Sequence, residues 1–118
     1  MVGAKKILVD DDCYLNCLDC HRLCLQTIQY CLEQGGEHAE ERHIRAMLDC
    51  AEMCETCSNF LLRGSEIHGL TCAACAEACE RCARECARFE GDAQMQGCAS
   101  VCRRCAASCR LMATPLAA

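Results

Sequence analysis

Apolar positions recur in steps of three and four along most of this chain, and the residue that fills them is nearly always cysteine. The first run holds Cys13, Cys17, Cys20, Cys24 and Cys31, with Thr27 or Ile28 at the missing step. The second holds Cys50, Cys54 and Cys57, the third Cys72, Cys75, Cys79, Cys82 and Cys86, and the fourth Cys98, Cys102, Cys105 and Cys109. Alternating steps of three and four trace one face of a helix and form the inward seam of a coiled-coil-like packing. All seventeen cysteines lie on such stripes, and none is spent on a loop or an outer face.

The breaks between the runs are Gly35-Gly36, Gly64-Ser65 and Gly91-Asp92. They predict four helices over roughly 10–34, 38–63, 67–89 and 93–112. Each segment is rich in Ala, Leu, Glu, Arg and Gln, which are good helix formers, and the single proline, Pro115, comes after them all. Asp10, Asp11 and Asp12 put negative charge at the first N-terminus, where it complements the helix dipole. Short links make consecutive helices antiparallel neighbours. The expected fold is therefore all-α: one domain spanning 1–118, an up-down-up-down four-helix bundle with a cysteine-lined core. The pattern C-x3-C-x2-C occurs in all four helices, at Cys75-Cys79-Cys82 in helix 3, as though a helical hairpin had been duplicated.

Extending the stripes outward brings in His43, Met47 and Leu61 in helix 2, His68 and Phe89 in helix 3, and Met95 and Met112 in helix 4. In an up-down bundle the helix 1–2 and 3–4 turns share one end. That end gathers His38, His43, Met47 and Met95 near Cys31, Cys86 and Cys98, as a doorway of weaker ligands or as a plain plug. The opposite end, with Phe60, Leu61, His68 and Met112, reads as a more hydrophobic stopper in which His68 could be a terminal ligand. His21 falls off the stripe and is expected at the surface. Leu18, Leu25, Ile44 and Leu48 flank the seam and are available either for packing within the chain or for pairing chains.

Composition sharpens the picture. There is no Trp, with two Phe and two Tyr, so cysteine takes the place of the usual core formers. The formal charge of −5 does not suggest a nucleic-acid partner, and no apolar run approaches the ~20 residues of a membrane span. Ile7-Leu8-Val9 is too short for the apolar segment of a secretory signal, so a cytoplasmic location is expected, where thiols stay reduced. An odd number of cysteines also fits a disulfide framework poorly. What remains is metal binding or a core filled with small apolar thiols.

A helix places i, i+3 and i+4 side chains on one face, so each Cys-x3-Cys or Cys-x2-Cys pair can grip an ion between two sulfurs. Thiolate selects copper(I), zinc or an iron–sulfur cluster. The bacterial iron–sulfur spacing C-x2-C-x2-C-x3-C-P belongs to a loop with a following proline, which is absent here. Charge separates the other two. A four-thiolate zinc site keeps a net charge of −2, whereas about one copper(I) per thiolate leaves a filled tube nearly neutral. Copper(I), many ions per chain, is the better match.

The segments Cys72-Ala-Ala-Cys75-Ala-Glu-Ala-Cys79-Glu-Arg-Cys82, Cys98-Ala-Ser-Val-Cys102-Arg-Arg-Cys105-Ala-Ala-Ser-Cys109-Arg110 and Asp49-Cys50-Ala51-Glu52-Met53-Cys54 resemble those of the cytosolic bacterial copper storage proteins. The resemblance runs from about 13 to 112. It implies a four-helix bundle, usually a homotetramer, that fills its core with many Cu(I) ions through cysteine thiolates. The turn Phe89-Glu90-Gly91-Asp92-Ala93-Gln94-Met95 departs from the histidine-rich turn typical of cytosolic members, and its methionine looks more like the exported ones.

The expected function is non-catalytic copper storage or buffering, with all seventeen cysteines as ligands and His43, Met47, His68 and Met95 as further candidates. No acid, base and nucleophile converge, so no enzyme is expected. Two alternatives stand beside this reading: a zinc- or mixed-metal-binding stress protein, and a structural bundle whose cysteines are only core filler.

Overall fold

The computed structural model describes residues 11–113. Four helices, α1 (Asp11–Gln34), α2 (Glu41–Leu62), α3 (His68–Ala87) and α4 (Ala93–Met112), follow one another with no strand among the described residues. Each helix packs against two others: α1 and α3 both lie between α2 and α4. The result is a closed four-cornered bundle with its seams turned to one axis. Asp10 and Pro115 lie outside the described residues.

Two boundaries differ from those the sequence predicts, and both differences matter at the same end. Residues Gly36–Ala39 form a 3-10 turn, and Glu40 is extended at φ −61° and ψ 142°, so α2 starts at Glu41. A stretch that satisfies helical composition is here pulled into a tighter turn, because the chain must reverse within six residues of α1. Helix α3 stops at Ala87, which puts Phe89 in the following turn and not on the α3 stripe. Its ring lies across the bundle end, with centroid distances of 4.2 Å to His38 and 5.1 Å to His43.

The glycine breaks act through backbone geometry. Gly35 closes α1 at φ +71°, and its amide donates to the Cys31 carbonyl at 3.1 Å. Gly64 follows α2 at φ +64°, letting Ser65 N–H reach back to Phe60 O at 3.0 Å. Both are positive-φ positions that a Cβ would strain, and both satisfy carbonyls that a helix end otherwise leaves open.

The core is narrow because its flanks are small. Ala76 and Ala83 on α3, and Ala99 and Ala106 on α4, are all buried, and each pair is spaced by one heptad. They let α3 and α4 approach closely, so the space between the helices suits a thiol and little larger. Only Met47, Met95, His43 and Thr27 exceed cysteine in size among the most deeply buried side chains. Thr27 takes the missing step of the α1 seam, and its hydroxyl accepts a 2.9 Å hydrogen bond from Gln94 Nε2 on α4.

Leu15, Leu18, Leu25 and Leu32 form a row along the outside of α1, each 40–58% exposed, with Leu48 on α2 at 49%. Within the chain they pack on nothing that covers them, while Ile44 is half-buried against the core. The apolar flank residues of α1 are thus left mostly on the surface.

Candidate metal centre

All seventeen cysteines are free thiols and all are buried, with Cys13 the most accessible at 4%. Their sulfurs form a continuous column. At the α2–α3 turn, Cys57 and Cys72 are 3.5 Å apart, and Cys109 lies 3.7 Å from both Cys13 and Cys17. Further along, Cys54 meets Cys79 at 3.6 Å, and Cys50 meets Cys20 and Cys79 at 3.6 Å each. Then Cys20 and Cys24 reach Cys102 at 3.6 and 3.8 Å, and Cys24 reaches Cys82 across the bundle at 4.0 Å. Several quartets have all four sulfurs mutually within 4.8 Å, and these overlap: Cys20 and Cys50 belong both to a set with Cys54 and Cys79 and to one with Cys24 and Cys102. A sulfur shared between neighbouring quartets is placed to bridge two ions.

The column is dry, so its protonation is set by burial and by the thiols themselves. Burial pushes Cys31 up to about 11, with the nearby Cys98 and Asp92 charges adding to the shift. Cys54 is also held up, first by its hydrogen bond with Cys105 and further by burial. A buried thiolate without a cation costs several kcal/mol, so the empty column favours neutral thiols, which pack as small apolar groups. The same energetics makes the column receptive to cations that bring their charge with them.

The end formed by the α1–α2 and α3–α4 turns carries the mixed donors. Cys31 Sγ lies 3.4 Å from His43 Nε2 and 3.5 Å from Met95 Sδ. His43, Met47 and Met95 are wholly buried. Burial holds the His43 imidazole below its ordinary value, against the opposing pull of Glu85, and so keeps it neutral as a ligand must be. Its Nδ1 faces Glu85 Oε1 at 3.7 Å without a hydrogen bond, that oxygen being ion-paired with Arg88 instead. Glu85 in turn contacts Arg42 at 3.3 Å and Arg88 at 3.1 Å. An imidazole and a thioether thus flank the Cys31 thiol, with a carboxylate behind the imidazole.

His38 is half-buried and fixed. Its Nε2 donates to Asp92 Oδ2 at 2.9 Å, the Tyr30 hydroxyl donates to the same oxygen at 2.8 Å, and Asp92 Oδ1 caps α4 by accepting from Met95 N–H at 3.1 Å. One carboxylate therefore ties the α1–α2 turn, the end of α1 and the start of α4 together, directly beside Met95. Burial pushes the Asp92 carboxyl up, but the bonds from His38, Tyr30 and Met95 outweigh it and hold the carboxyl below its ordinary value. Losing the cap and the tyrosine bond in Asp92→Ala should lower stability by about 2 kcal/mol in urea unfolding at neutral pH. Because the folded value is the depressed one, this contribution exists above the unfolded carboxyl value and fades as the pH falls through the folded one. The gap between the two proteins should therefore close below about pH 4. A gap that persists unchanged in acid would assign the loss to packing.

The remaining candidates are placed as follows. His68 is half-buried at the opposite end, where its Nδ1 donates to the Ser65 carbonyl at 2.9 Å and anchors the α2–α3 turn. Leu61 is buried there, and Phe60 and Met112 are half-buried, with Arg63 over the Phe60 ring. His21 is half-buried and not a free surface residue, since its Nδ1 lies 2.8 Å from the Ala51 carbonyl and joins α1 to α2. Sequence reasoning missed Glu85, Tyr30 and Asp92. Asp92 had a visible signal, a capping residue just ahead of a helix; Glu85 and Tyr30 lie off the stripes, and only the folded turn brings them in.

The model of a family described as copper storage protein matches residues 9–114. Among curated proteins none matches the chain. Of solved structures, the Nmul_A1745 protein from Nitrosospira multiformis is 43% identical, with a TM-score of 0.82 over 87% of this chain and 93% of its own. The copper storage protein BsCsp3, solved in its Cu(I)-bound form, is 33% identical, with a TM-score of 0.82 over 89% of this chain and 98% of its own. With nearly the whole length matched by the family model, and with a sulfur column running down the bundle, this chain belongs to the copper storage protein family.

Proposed function

We propose that this chain is a non-catalytic store for copper(I), held as cargo along the bundle axis by its cysteine thiolates. The observation that carries the reading is the column of seventeen buried, unpaired thiols, most of them with another cysteine sulfur 3.5–4.0 Å away and several shared between overlapping quartets. Monovalent soft cations bridged by such sulfurs neutralise a filled core, which divalent ions at isolated four-thiolate sites do not. The relative BsCsp3, with Cu(I) bound, supports the same assignment. The ligands are all the cysteines from Cys13 to Cys109. Cys31, His43 and Met95 form a transfer site at the end where the α1–α2 and α3–α4 turns meet, and Met47 lies buried on the same α2 stripe. His68, engaged with the Ser65 carbonyl, is left out of the ligand set.

The store works in a reducing cytoplasm and assembles as a homotetramer. Reduced thiols are what the chemistry requires. The uncovered row of Leu18, Leu25 and Leu32 on α1, repeating every seven residues beside Leu48 on α2, is an apolar surface suited to a second copy. No helix is long and apolar enough among the described residues to cross a membrane.

Anaerobic loading of the reduced protein with Cu(I), followed by native mass spectrometry, reads ion count and assembly together. The expected result is more than about ten ions per chain in a tetramer. Uptake of about four or fewer would replace the copper reading with that of a divalent-metal protein, and a loaded monomer would remove the assembly while leaving the store.

A further inference from the structure

Within the overlapping thiol quartets there is a set of three that share no residue: Cys17, Cys75, Cys105 and Cys109; Cys20, Cys50, Cys54 and Cys79; and Cys24, Cys82, Cys98 and Cys102. Each draws on three helices. They succeed one another along the axis from the α2–α3 turn toward the α1–α2 turn, about 5 Å apart by the rise of α1 between Cys17, Cys20 and Cys24. Each quartet encloses a point that four sulfurs can reach together.

Spacing tells which coordination these cages favour. A tetrahedral ion with metal–sulfur bonds of about 2.3 Å holds its sulfurs about 3.8 Å apart, whereas a linear pair on such bonds needs about 4.6 Å. Within the cages Cys17–Cys109 stand at 3.7 Å, Cys20–Cys50 and Cys54–Cys79 at 3.6 Å, Cys24–Cys102 at 3.8 Å and Cys24–Cys82 at 4.0 Å, and every other pair lies within 4.8 Å. Each cage thus has part of its sulfur set at tetrahedral separation in the empty column, and the remaining sulfurs, Cys75 and Cys98 among them, need draw in by no more than about 1 Å to complete four-thiolate binding.

We propose that this protein has a second metal activity: the three disjoint cages each hold one zinc(II) ion, three per chain, which copper(I) expels as it fills the column. On binding, each zinc takes four thiolates and four protons leave to solvent. Each filled cage then carries two negative charges in a dry interior, so zinc is held against a cost that copper(I) does not impose. Copper loading replaces each divalent ion by several monovalent ones and removes that charge. Zinc is therefore the occupant of a copper-poor protein, and its release reports copper arrival. The cages rest on sulfur geometry alone and stand independently of the copper reading, on which only the expulsion rests.

The test uses the reduced, metal-free full chain under anaerobic conditions, titrated with zinc acetate against a colorimetric zinc chelator. Three tightly held ions per chain are expected, falling to two in Cys50→Ser and staying at three in Cys57→Ser, since Cys57 lies outside the cages. Cobalt(II) in place of zinc should give the intense visible bands and thiolate charge transfer of tetrahedral four-sulfur coordination. Helix content by circular dichroism checks each variant, and Cys54→Ser replaces Cys50→Ser if the latter loses helix. No zinc retained against the chelator, a count that ignores Cys50, or cobalt without tetrahedral bands would each overturn the proposal. Adding Cu(I) to the zinc-loaded protein separates the two functions. Full zinc expulsion supports both, copper uptake by a chain that never held zinc sinks only the zinc cages, and retained zinc with no copper uptake sinks the copper store.

Discussion

Lowering the pH of the copper-loaded protein from about 7 to about 5 should weaken its hold on each ion by roughly a hundredfold. The sign follows from which form of the thiol binds. Copper(I) takes the thiolate, while the free group in this column is a neutral thiol, with Cys31 pushed up to about 11 by burial and by the nearby Cys98 and Asp92 charges. Below that value every ion that leaves must be replaced by protons from solvent, and every added proton makes leaving easier. With about one ion per thiolate, one proton enters per ion lost, which is a tenfold change in affinity per pH unit. The dependence has no plateau across the neutral range, because a buried thiol without a cation keeps its proton there. Competition against a copper(I) chelator at a series of pH values reads the slope directly. A flat profile would mean that ions are held mainly by thioether, for which protons do not compete, and the thiolate column would lose its role.

Why so much of this was legible in the sequence is a matter of period. Steps of three and four fix a helical face without reference to anything distant, and a residue as distinctive as cysteine marks that face at nearly every turn. The seams of all four helices, from Cys13 to Cys109, therefore come out buried together. What the period could not reach is the end of the bundle. Phe89 continues the α3 stripe on paper, yet α3 stops at Ala87, and the ring instead covers His38 and His43. His21 stands next to Cys20 and off the stripe, so spacing gives it to solvent, but a carbonyl on the neighbouring helix claims its ring. The contacts of Asp92 with Tyr30 and His38 span 62 and 54 residues of sequence. These are products of turn geometry and of tertiary hydrogen bonding, for which no local pattern codes.

The second large effect is on the fold itself. Cys50→Asp should destabilise the metal-free protein by about 3–5 kcal/mol at neutral pH, a large part of the 5–15 kcal/mol typical of a domain. Cys50 is wholly buried, with Cys20 and Cys79 at 3.6 Å and Cys102 at 3.9 Å around its sulfur. A carboxylate there meets thiols that can donate only weakly, and none of these neighbours is a cation. Its pKa in the folded state is consequently raised. Stability is then fullest below the unfolded carboxyl value, near pH 4, and drains away as the pH climbs through the raised folded value. Cys50→Ala removes one sulfur and leaves a small void, a loss of about 1 kcal/mol with no such pH dependence. Urea unfolding of both variants at about pH 4 and pH 7 under reducing conditions separates charge from volume. Equal stability of the two at neutral pH would show that water or a cation reaches the middle of the column. The comparison bears on storage because an unpaired thiolate and an unpaired carboxylate suffer the same loss of solvation. The energy that Cys50→Asp forfeits is the energy that a bound monovalent cation must supply, at every sulfur in the column.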